Sequence, residues 1–127
     1  MFKTEFCEVE YREDMGAVLC SWKRFCRGDD YRDPLRYGLK LLVQNKCRNW
    51  ITDTTNGFEN EPEDTAWLLD EFIPQTIESP CENLFFIMKD DSPIKEEIQS
   101  QIETLSSFFS VFVCKHLDEI RKKIIPA

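Results

Sequence analysis

CRNWITDTTNGFENEPEDTAWLLDEFIPQTI, the run from Cys47 to Ile77, decides how this chain is read. Trp50 and Ile51 close an extended stretch that ends at Asp53, where a strand would reach the rim of a sheet. Asn56-Gly57 follows as a turn signal, since both residues tolerate positive φ. Pro62 suits the first turn of a helix, where its missing N–H costs nothing, and Glu63 and Asp64 suit the positive end of the helix dipole. Ala66, Leu69, Ile73 and Ile77 then recur as one apolar stripe, widened by Trp67, Leu68 and Phe72, over a helix from Pro62 to about Glu78. Pro74 is expected to kink or shorten that helix, because its ring meets the carbonyl four residues back. Strand, loop and helix start together form the kind of junction at which open α/β sheets place ligands.

Working outward, the flanks alternate in the same way. Cys7, Val9 and Tyr11 interleave with Glu8, Glu10 and Arg12, the two-residue period of a half-exposed strand. A turn through Glu13-Asp14-Met15-Gly16 joins it to a second strand, Ala17 to Trp22, as a hairpin. A helix opens near Gly28, capped by Asp30 or Asp33, and carries Leu35, Leu39, Leu42 and Val43 on one face. Arg48 to Asp53 is the third strand, and Asn83 to Met88, apolar at successive positions, is a strand covered on both sides. Ser92-Pro93 starts a helix marked by Ile94, Ile98, Ile102 and Leu105, and Phe108 to Val113 is the last strand. Lys115 to Ile125 closes as a helix, acidic early and basic late. The order is ββαβαβαβα. It implies an α/β fold with a four- to five-stranded, mostly parallel mixed sheet and helices packed on it, as a single domain over residues 1–127.

Composition limits the function. The 127 residues are 42% hydrophobic and 31% charged, a globular balance, and the net charge of −8 argues against nucleic acid, whose binding draws on Lys and Arg. The start lacks the basic and apolar regions of a secretory signal, and no apolar run approaches the roughly 20 residues of a membrane span, so a cytoplasmic location is expected. Six cysteines without a C-x-x-C pair, and one histidine, give neither a zinc pattern nor a disulfide framework. They read as reduced, structural thiols.

The hairpin-then-alternation order resembles the STAS-like group, the fold of anti-sigma-factor antagonists, and in particular its small bacterial members. The likeness covers nearly the whole chain. It is carried by Ser21-Trp22-Lys23 with Phe25, Trp50-Ile51-Thr52-Asp53, Glu63-Asp64 leading into Trp67-Leu68, Phe72-Ile73-Pro74, and a final strand before an acidic-then-basic helix. The antagonists carry a phosphorylatable serine in an Asp-Ser-Ser-Gly-like motif at this helix start. Here the nearest match is Asp64-Thr65, followed by Ala66 and Trp67. What the resemblance implies is a partner-binding or regulatory module acting around that helix start.

Asp53, Thr54, Asp64, Thr65 and Trp67 are therefore the candidate partner or ligand site, and Thr65 the candidate phosphoacceptor. Phosphate suits a helix N-terminus, but here it would sit among Asp53, Glu59, Glu61, Glu63 and Asp64, and that repulsion either works as the switch or forbids the phosphate. A calcium loop counted from Asp53 puts glycine fifth and Asp64 twelfth, out of register with the sixth-position glycine and twelfth-position glutamate required. Cys114 and His116 lie on diverging elements, Arg27-Gly28-Asp29 is a coincidental adhesion-like tripeptide, and no catalytic or metal motif emerges. Trp22, Trp50 and Trp67 either fill the core or line an apolar pocket. The reading is a non-enzymatic regulatory or interaction module working through the junction of the third strand and second helix, with no cofactor. A protein partner is expected, and a homodimer through the hairpin edge is open. The alternative is a binding protein for a small apolar ligand in a pocket beneath the second helix.

Overall fold

The structure, a computed structural model, describes residues 1–124. Ile125, expected to end the last helix, lies outside them. Six strands lie side by side in chain order: β1 (Phe2–Lys3), β2 (Cys7–Arg12), β3 (Ala17–Trp22), β4 (Asn49–Asp53), β5 (Asn83–Ile87) and β6 (Ser110–Cys114). β1, β2 and β3 pair antiparallel, and β3 to β6 pair parallel. The strand beyond the expected count is β1, where Phe2 pairs with Val9. Two residues are too few to show an alternating pattern in sequence.

Three crossovers join the parallel strands: α1 (Asp29–Gln44), a continuous helix built of α2 (Pro62–Trp67), a π segment (Leu68–Phe72) and α3 (Ile73–Glu78), and α4 (Lys95–Leu105). Each steps one strand further in the same direction, and right-handed crossovers that do so place their helices on one face. The burial follows. Val18, Trp50, Leu84 and Val111 form one cross-strand row, and with Cys20, Trp22 and Phe86 they pack against Leu35 and Leu42 of α1, Phe72 and Ile73, and Ile98 and Leu105 of α4. The opposite face carries the row Leu19, Ile51, Phe85 and Phe112. That face is covered by α5 (Leu117–Ile124) through the fully buried Ile120. Arg121 of α5 and Arg12 both donate to Asp14 in the hairpin turn, which holds its carboxyl down at about 2.

The second crossover departs from its expected face. Ala66, Leu69 and Ile77 point outward, with Leu69 and Ile77 about 40% exposed, whereas Trp67, Phe72, Ile73 and Thr76 are buried. Ala66 already points outward in α2; from the π segment on, where Ile73 N–H donates to Leu68 O five residues back, the buried face falls on Phe72, Ile73 and Thr76. The extra residue rotates the buried stripe and opens the turn where the Pro74 ring would meet the Asp70 carbonyl. Elsewhere the differences are at ends. The α4 helix begins at Lys95, after Ser92 Oγ accepts from Ile94 N–H, and β6 begins at Ser110, after a turn in which Phe108 and Phe109 N–H donate to Leu105 O. Val43 sits exposed in the last turn of α1.

Trp50 reaches under α1 because residue 38 is glycine. A Cβ there would lie 2.3 Å from the Trp50 ring. Helix propensity favours alanine by about 1 kcal/mol, but overpacking a fixed indole costs about 1–3 kcal/mol, and the clash wins. Gly38→Ala is expected to lower the urea midpoint measured by far-UV circular dichroism. An unchanged or higher midpoint would mean that Trp50 does not pack there.

Candidate functional site

The rows that face α1, the second crossover and α4 leave a cavity of about 100 Å³. Its floor is Trp22 of β3, Trp50 and Thr52 of β4 with Thr54 just beyond it, and Leu84 and Phe86 of β5. Tyr31 and Leu35 wall one side, Leu68, Phe72, Ile73 and Thr76 roof it, and Ile94, Ile98 and Leu105 close the other side. The room exists because small polar residues stand where large ones would fill it. Thr52 lies between Cys20 and Phe86 in its cross-strand row and accepts from Trp50 Nε1 at 2.9 Å. The Thr76 hydroxyl turns back to Phe72 O at 2.8 Å, and that of Thr54 goes to Ile87 O at 2.6 Å, so each is satisfied within the protein.

The aromatic side chains are ordered by one another. Trp22 stacks on Tyr31 with centroids 5.1 Å apart, and Phe58 stands edge-on to Trp22 at 5.5 Å. Such pairs add about 0.5–1.5 kcal/mol each beyond the area they bury. Phe58 is held there by the loop after β4, where Gly57 N–H donates to Thr54 O. Gly57 does not have a positive φ; a Cβ there would crowd Ile94 Cδ1 at 2.7 Å and Thr54 O at 3.0 Å, so the turn is close-packed rather than left-handed.

Polarity gathers at one end. Asn60 Nδ2 donates to the Tyr31 hydroxyl oxygen at 3.0 Å, and Asn60 N–H donates to Glu97 Oε1 at 3.3 Å. Glu97 Oε2 touches no solvent and has no hydrogen-bond partner, the single such buried side-chain oxygen or nitrogen among the described residues. Burial pushes the Glu97 carboxyl above its ordinary value and drives the Tyr31 phenol upward too. Glu97 also lines a second, outer groove between α2 and α4, together with Asn60, Leu68, Ile94 and Gln101, which border both spaces. The groove therefore meets the cavity at the glutamate.

The five residues expected to form one rim site are distributed among separate places. Asp53 accepts from Thr55 N–H at 2.9 Å, shaping the turn after β4. Thr54 lines the cavity, and Thr65 lines the outer groove with Glu59 and Glu96, an acidic setting that repels phosphate. Asp64 turns the other way, toward α1. Only 2% exposed, it accepts from Gly28 N–H at 3.1 Å and from Arg32 Nε at 3.0 Å. It thus holds the residue ahead of α1 from another element, whereas neither Asp30 nor Asp33, expected to cap that helix, does so. Trp67 is buried beneath the guanidinium groups of Arg32 and Arg36, at 5.5 and 5.2 Å. Glu97, Asn60 and Tyr31 escaped the sequence reading. The available signal was that Glu97 and Gln101 fall at helical spacing on the face of Ile94, Ile98 and Leu105, where apolar residues are expected.

All six cysteines are buried free thiols. Cys7 Sγ and Cys20 Sγ lie 3.6 Å apart; that contact, with burial, raises the Cys20 thiol, and burial pushes those of Cys26 and Cys81 up to about 12. Such thiols are protonated and weakly nucleophilic. Cys114 is buried whereas His116 is exposed. Among the described residues no group of three or more His, Cys, Asp or Glu side chains is placed to hold a metal ion, and no helix is long and apolar enough to cross a membrane. No family model, curated protein or solved structure matches the chain.

The buried carboxylate has a sign that solution can read. A glutamate whose folded value is raised binds its proton more tightly when folded, so stability is lost as pH climbs from about 4.5 through the raised value. Glu97→Gln removes that loss. Its urea midpoint is expected above the parent's at pH 7, with the gap narrowing toward pH 4; a gap that is absent or grows on acidification would contradict the buried, unpaired oxygen.

Proposed function

We propose that this protein is a non-enzymatic binding module that takes one small apolar ligand into the cavity beneath the second crossover. The observation that carries the reading is the cavity itself: largely apolar and aromatic walls, with hydrogen-bonding groups confined mainly to one end, the usual composition of a small-molecule site. Its volume of about 100 Å³ is about two-thirds of the apolar cavity of about 150 Å³ that takes up benzene, so one ring is the most it takes. The outer groove supplies a route in, with Leu68 and Ile94 at the threshold.

A second reading, a regulatory module that meets a protein partner at the junction of β4 and α2, is favoured by a separate observation. Ala66, Leu69 and Ile77 stand exposed on the outer side of the second crossover, beside Thr65 of the groove. The STAS-like resemblance belongs to this reading, supported by a hairpin followed by alternating helices and strands.

One pair of variants separates the two. Trp22 and Trp50 line the cavity, so 2-phenylethanol is expected to change the intrinsic fluorescence saturably and to raise the melting temperature. Ile98→Phe, which fills the cavity, is expected to abolish both responses while leaving circular dichroism unchanged. A partner captured from native-cell extract and lost in Leu69→Lys, with no response to 2-phenylethanol, would instead favour the interaction module.

A further inference from the structure

The cavity's polar end narrows the chemistry of what enters it, on the condition that the cavity is a ligand site. Glu97 Oε2 is shielded from water and unpaired, although a buried carboxylate oxygen without a donor costs free energy. The nearest placed hydrogen bonds go elsewhere: Asn60 N–H is on Oε1, and Asn60 Nδ2 is on the Tyr31 hydroxyl oxygen. The Tyr31 O–H and the Gln101 amide also line the cavity, but neither reaches Oε2, which is left for a donor on the ligand.

The sign of the surroundings selects among donors. Glu59, Glu96 and Glu97 line the groove, and among the described residues no Lys or Arg lines either the groove or the cavity. The whole chain carries −8. A ligand carboxylate or phosphate would meet three glutamates and no counter-charge, whereas a cation is drawn toward the mouth and bound more strongly than a neutral donor, as charge-assisted hydrogen bonds are. The aromatic walls suit a ring, and a cavity of about 100 Å³ holds the ring but not a long tail, so the charged group stays at the threshold where Glu97 sits.

We infer that the ligand is a compact aromatic amine, bound as its cation, with the ring in the cavity and the ammonium donating to Glu97 Oε2 at the junction with the groove between α2 and α4. This deepens the small-ligand reading by naming the ligand's charge and the residue that recognises it. Glu97 is here a binding residue retained at some cost to stability, which the amine repays by supplying the absent donor.

The test is a calorimetric titration of the full chain with three probes of one shape: phenethylamine, 2-phenylethanol and 3-phenylpropanoate. Phenethylamine is expected to bind at least ten-fold more tightly than the alcohol, and the carboxylate not detectably. In Glu97→Gln the amine is expected to fall to the affinity of the alcohol, whose own binding changes little. In Ile98→Phe both are expected to lose binding. Equal affinities for amine and alcohol, or an amine affinity unchanged in Glu97→Gln, overturn the inference while leaving the cavity reading intact. Amine binding that persists in Ile98→Phe overturns it as surface attraction to an acidic protein. If none of the three probes binds, the cavity reading fails and the inference with it. Should Glu97→Gln not fold, the ranking of the three probes on the unmodified chain decides alone.

Discussion

Asp64 fastens the starts of two helices to each other. Its buried carboxylate accepts from the backbone N–H of Gly28, at the head of α1, and from the guanidinium of Arg32 one turn on. Removing one partner of a buried charged pair commonly costs about 3–5 kcal/mol, because the other is left uncompensated; partial exposure of Arg32 puts this pair toward the lower end. The tether fixes where the second crossover begins, and Trp67, clamped beneath Arg32 and Arg36, fixes its first turn. The π segment then sets which residues of the following turns face the sheet. Phe72 and Thr76 come down over Trp50 and Thr52 at a height that leaves the space between them open.

The position of that space follows from the topology. Ligands in open α/β sheets usually sit where the strand order reverses and two crossovers diverge to opposite faces. Here β3 to β6 run in chain order without a reversal. All three crossovers cover one face, so no crevice opens at the rim. Room is left instead between the sheet and its roof, where threonines at 52, 54 and 76 interrupt an otherwise large-residue core. Among the described residues the opposite face has only α5 above it, and it is held by a smaller cluster around Ile51, Phe85 and Ile120.

Much of the architecture was legible in the chain. The alternation in Cys7–Arg12, the apolar run at 83–88 and the helical stripes of Leu35, Leu42, Ile98 and Leu105 gave an α/β fold and its element order from β2 onward. Besides the two-residue β1, two things were not legible. The stripe Ala66, Leu69, Ile73, Ile77 assumed a uniform 3.6-residue period, and a π turn before Pro74 breaks that period without any change in composition. The site was read from nearness in sequence, which placed Asp53, Asp64 and Thr65 together. Successive helical residues diverge by about 100°, so Asp64 turned to α1 and Thr65 to the groove. Glu97, lying 33 residues beyond Asp64, belonged to an element that carried no motif. Only its place on an apolar helix face set it apart.

A glutamate oxygen left unpaired beside an unfilled aromatic space is the combination on which the proposed ligand site rests. The most direct measurement is a methyl-resolved NMR titration of the full chain with phenethylamine. The account expects saturable shifts at the methyls of Ile73, Leu84, Ile98 and Leu105, with those of Ile51, Ile87 and Ile120 on the far face unmoved. Shifts confined to the exposed Leu69 and Ile77, or no shifts at all, would contradict it.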